Sequence, residues 1–118
     1  MIDTTKTCDT IMDELQKKVQ DSTPVAPSEW VDYAQELLVL LGEEHRKLWN
    51  MAQGVAQMKI KYLEQQEKRN VSEVNMRVEA TDEYREMRMQ EAKVSRIEEY
   101  IRLAKHRAKM ANEEMRGY

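Results

Sequence analysis

After Pro27 the chain contains no further proline, and its apolar residues return at intervals of three and four. That combination constrains the fold most. Proline is the residue that breaks a helix, and three-four spacing lines one face of an α-helix. From Val94 the apolar steps to Ile97, Ile101, Ala104, Ala108, Ala111 and Met115 are 3, 4, 3, 4, 3 and 4. This is a coiled-coil-type seam carried over about three heptads, and its alanines let a neighbouring backbone come close.

An earlier stretch repeats the pattern. Trp30, Ala34, Leu37, Leu41, Leu48, Ala52, Val55 and Tyr62 alternate by threes and fours, with a break near Glu44. Gly42 and Gly54 each cost about 1 kcal/mol against alanine, which a long helix absorbs. The spacing predicts a helix over 28–68, with Ser28 as N-cap, Glu29 in the first turn and Asn70 as a left-handed stop. A second helix is expected over 73–116. Ser72 (with Val71 and Met76 as a staple) and Thr81 are competing start signals, and residues 72–80 also fit a short extended segment. Upstream, Cys8, Ile11, Met12, Leu15 and Val19 form an amphipathic stripe within an arm, 1–22, joined by a Pro-containing linker, 23–27, to the hairpin, 28–118.

The expected fold is therefore all-α: a long antiparallel helical hairpin with a short N-terminal helical arm, assembling into a helical-bundle oligomer. With 35% charged residues, three glycines and no phenylalanine, the composition suits long helices over a thin aliphatic and methionine core. Met51, Met58, Met87, Met89, Met110 and Met115 are read mainly as gap-filling core.

Charge is uneven. Residues 1–50 hold ten acids and five bases (−5), and residues 51–118 hold twelve acids and fourteen bases (+2), giving the net −3. The asymmetry is too mild to call for nucleic acid by itself. Cys8 is the only cysteine, so no internal disulfide is possible. The start "MIDTTKTCDT" shows neither a basic nor an apolar signal region, and "LLVLL", Leu37–Leu41, is far shorter than the roughly 20 residues that span a bilayer. A cytoplasmic protein with no membrane partner is expected.

The run "YIRLAKHRAKM", Tyr100–Met110, is the strongest charge feature. At 100° per residue Arg102, Lys105, His106 and Lys109 share one face, turned away from the Ile97–Met115 seam. Glu98 and Glu113 lie on that same face, and Tyr100 sits about 160° away from Arg102, so no aromatic is interleaved for base stacking. A solvated helix face is the favoured reading. The alternative is a polyanion site of Arg102, Lys105, Arg107 and Lys109, joined by Lys59, Lys61, Lys68 and Arg69.

Other constellations point away from catalysis. Gly42 and Leu103 stand three residues before His45 and His106, where a di-iron bundle would carry glutamates. Neither HExxH nor CxxC occurs, three scattered glycines form no phosphate loop, and every carboxylate can be placed on an exposed helix face. No enzyme, metal or cofactor is expected. "LLVLL" turns through about 400° and so cannot be covered by one neighbour. Leu37, Leu38, Leu40, Leu41, His45, Leu48 and Trp49 are accordingly the expected contact with a second copy or another protein.

The stretch "RVEATDEYREMRMQEAKVSRIEEYIRLAKHRAKMANEEMR", Arg77–Arg116, resembles small all-α helical-hairpin proteins of bacteriophages. The resemblance lies in the helix start Thr81–Tyr84, in Ala92, in the step from Ile101 to Lys105 and in Glu113–Arg116, with "YLEQQEKR" closing the first arm of the hairpin. It extends over about residues 30–116 and implies an accessory role with no catalytic residue. The expected function is thus a non-enzymatic interaction protein binding a phage or host protein. Alternatives are a nucleic-acid-binding accessory and an oligomeric small-anion or nucleotide sponge.

Overall fold

Thr7 opens the first helix: its backbone is extended and its side chain accepts from the Thr10 amide. The resulting α1 (Cys8–Gln20) is followed by α2 (Pro27–Glu64), α3 (Val71–Glu79) and α4 (Asp82–Arg116). The computed structural model describes residues 7–21, 24–66, 68 and 70–116, and no strand occurs among them. The fold is all-α, and α2 and α4 pack against each other as expected of a hairpin. Residues 1–6 and 22 of the expected arm, 23 of the linker, Arg69, and the side chains of Met115 and Arg116 lie outside the described residues.

Local chemistry sets the helix ends, in places differently from expectation. Pro27, not Ser28, begins α2. Its missing N–H costs nothing at the first helical position and its fixed φ is already helical. Asn70 is no left-handed stop. Its φ is −102°, and its side chain accepts from the Glu73 amide as the N-cap of α3. Residues 71–79 are therefore helical rather than extended.

The single helix expected over 73–116 is divided after Glu79. Thr81 is the cause. Its hydroxyl donates to the Val78 carbonyl at 2.6 Å, ending α3, and accepts from the Tyr84 amide at 3.3 Å, capping α4.

Contacts divide the chain into two units, Met1–Glu43 with Ser95–Tyr118, and Glu44–Val94. In the first, α1 buries Cys8, Ile11, Met12 and Leu15. α2 contributes Trp30, Ala34, Leu37 and Leu41, and α4 contributes Ile97, Ile101, Ala104 and Ala108. A helix of 13 residues is marginal alone in water. Burying Ile11, Met12 and Leu15 at about 1.5–3 kcal/mol each is what holds it. The Tyr100 hydroxyl also donates to Gln16 Oε1 at 2.6 Å, tying α4 to α1.

The second unit has its own apolar cluster. Val55, Val74 and Val78 are buried, with Met58, Tyr62, Leu63, Tyr84 and Met87 packed around them. The Arg77 guanidinium lies 5.1 Å from the centroid of the Tyr62 ring. The methionines divide: Met12 is buried, but Met76, Met89 and Met110 are exposed, so core filling does not explain them all.

Candidate interaction site

The break in the α2 pattern marks a polar centre. Glu44 follows Leu41 by three and precedes Leu48 by four, so it occupies a seam position, and only 7% of it is exposed. One oxygen, Oε2, accepts from Gln90 Nε2 at 2.7 Å, and the same nitrogen donates to the Glu44 backbone carbonyl at 2.9 Å. The other, Oε1, faces Lys47 Nζ at 3.4 Å and Lys93 Nζ at 3.5 Å.

Burial works against the ionised carboxylate. The Gln90 hydrogen bond and the charges of Lys93 and Lys47 outweigh it and hold the pKa below the ordinary 4.5. The expectation that every carboxylate lies on an exposed face fails here. With its lone pairs taken up by Gln90, Lys93 and Lys47, this buried glutamate is a structural strut between α2 and α4.

The expected contact residues fall into three groups. Leu37, fully buried at 0% exposure, and Leu41 belong to the chain's own core, where the seam had already placed them, and cannot meet a partner. Leu40 and Leu48 are half-buried. Leu38, His45 and Trp49 are on the surface, Leu38 at 54% and Trp49 at 61% exposure.

Three further exposed residues share the face of Trp49 on the Glu44–Glu64 part of α2: Ala52, Ala56 and Ile60. Taking Ala56 as 0° and 100° per residue, His45, Trp49, Ala52, Gln53 and Ile60 lie at about −20°, 20°, −40°, 60° and 40°. No Asp, Glu, Lys or Arg falls between Ala52 and Gln53 on this wheel. Sequence reasoning put Ala52 in the core and passed over Ile60, although the four-residue steps from Ala52 to Ala56 to Ile60 were a usable signal. Around the turn of the same helix, an open groove of ≈ 390 Å³ is lined by Gly54, Gln57, Met58, Lys61, Tyr62 and Gln65.

On α4, Arg102, Lys105, His106 and Lys109 are exposed and Arg107 is half-buried. Glu98 is half-buried on the same helix. Among the described residues no group of three or more His, Cys, Asp or Glu is gathered as for a metal, and no helix is long and apolar enough to cross a membrane. No protein-family model, curated protein or solved structure matches this chain.

Proposed function

We propose that this is a non-enzymatic helical interaction protein that binds protein partners in the cytoplasm through the exposed apolar face of α2. The observation carrying this reading is Trp49, 61% exposed, with the exposed Ile60 further along the same uncharged face. Leaving such side chains in water forfeits roughly 1.5–3 kcal/mol each relative to burial, and contiguous exposed apolar patches mark interaction sites. The likeness of Arg77–Arg116 to small all-α phage proteins supports an accessory role, modulating a phage or host protein.

Site-specific photocrosslinking tests the reading. A benzophenone side chain replacing Trp49 is expected to capture protein, and one replacing Lys105 is not. Capture of nucleic acid at position 105, with binding that weakens steeply with salt and is lost in Lys105→Glu/Lys109→Glu, would favour the polyanion alternative.

A further inference from the structure

The exposed face of α2 in the Glu44–Val94 unit has an internal symmetry. Its ends carry the bulky residues Trp49 and Ile60, and its middle carries Ala52 and Ala56, all exposed. Small residues at a helix crossing let two axes approach toward the lower end of the usual 8–10 Å range, while large residues fill the space where the helices diverge.

A helix read backwards along this face keeps the pattern. Trp49 pairs with Ile60 (numbers summing to 109) and Ala52 with Ala56 (summing to 108). The face is thus complementary to its own reverse.

Charge gives the same register independently. Arg46 and Glu64 are both exposed and stand 18 positions apart, about five helical turns, which puts both on one flank near 80°. A two-fold axis relating antiparallel helices carries each flank onto itself. Arg46 of one copy then faces Glu64 of the other at a sum of 110, and the contact occurs twice. Gln53 and Gln57, on the same flank, also sum to 110 and lie opposite one another. A parallel pairing would leave Arg46 and Glu64 of different copies about 27 Å apart along the axis.

We propose that this face binds the same face of a second copy, antiparallel, about a two-fold axis between Gln53 and Ala56. Arg46 of each copy then faces Glu64 of the other. This pairing rests on the protein-binding reading above and names its partner. Stable interfaces bury about 800 Å² on each side, and one helix face of about 27 Å lies at the small end. An interface of this size fits a reversible association.

Sedimentation equilibrium of the full chain, from low micromolar to several hundred micromolar, tests the proposal. The expected wild-type result is a monomer–dimer equilibrium. Trp49→Glu should remain monomeric. Arg46→Glu and Glu64→Arg should each weaken the dimer about tenfold, because two symmetric contacts turn from attraction to repulsion, and the double reversal should restore it. Circular dichroism checks that each variant is folded. Should Trp49→Glu unfold the chain, the charge reversal still decides.

In a Cys8→Ala background, Ala52→Cys mixed with Ala56→Cys should form disulfide dimers faster than either variant alone. A wild type that stays monomeric throughout would overturn the proposal. So would a double reversal no tighter than the single variants, or an Ala52→Cys variant that crosslinks to itself faster than the mixture does. A monomeric wild type would leave the protein-binding reading standing on its own test, since photocrosslinking from position 49 distinguishes other chains by mass.

Discussion

Replacing Gln90 with leucine removes the donor that meets Glu44 Oε2 at 2.7 Å and its carbonyl at 2.9 Å, and inserts an apolar group beside a carboxylate that is nearly out of solvent. A hydrogen bond to a charged group contributes about 1.5–3 kcal/mol, and a buried acceptor left without its donor costs the larger part of that. Lys93 and Lys47 still face Oε1, but their side chains are 33% and 53% exposed, so screening limits what they recover. The expected loss is about 2 kcal/mol.

With a urea m-value of about 2 kcal/mol/M, the unfolding midpoint followed by circular dichroism at neutral pH and fixed protein concentration should fall by about 1 M. The double variant Glu44→Leu/Gln90→Leu removes both partners together and frees the two lysines to reach water. It should lie within about 1 kcal/mol of wild type, because replacing a polar pair with apolar groups avoids the stranded charge. A Gln90→Leu midpoint indistinguishable from wild type, or a double variant as unstable as the two single variants summed, would refute the view of Glu44 as a buried, donor-dependent strut.

Three further outcomes are expected. Glu44 has its pKa lowered in the fold, so the stability it contributes is present above its ordinary value of 4.5 and is lost as pH falls below it. Urea midpoints measured across that range should therefore drop more steeply for wild type than for Glu44→Gln. Thr81→Ala removes both the bond to Val78 and the cap on Tyr84, and should cost about 1–2 kcal/mol with faster hydrogen exchange at the Tyr84 amide. Leu15→Ala, at a site with 0% exposure, should cost about 2–5 kcal/mol and lower the melting temperature; an unchanged melting curve would show that α1 is not docked.

The local pattern of the chain was enough for α1, α2 and the long run of α4, but not for the division of α3 from α4 after Glu79. Residues spaced by threes and fours in α1, α2 and α4 had to share faces whatever surrounded them, and the buried residues Ile11, Leu15, Leu37, Ile97 and Ala104 are those the spacing selected. The Thr81 cap was likewise legible, because its partners Val78 and Tyr84 are each three residues away.

What periodicity could not supply is which of several apolar stripes on one helix would be covered. Leu37 and Leu38 are adjacent and equally apolar, yet one is buried and the other 54% exposed. That choice belongs to the neighbouring helix, as does the exposure of Ala52, Ala56 and Ile60. Asn70 could have ended α2 or begun α3, and only the acceptance of the Glu73 amide decides it.

Glu44 is the clearest case. In the sequence it is a gap in an apolar pattern. Burying a carboxylate becomes tolerable only when a donor such as Gln90, 46 residues away, is brought to it. A contact over that separation is set by how α2 and α4 pack, and no window of neighbouring residues contains it.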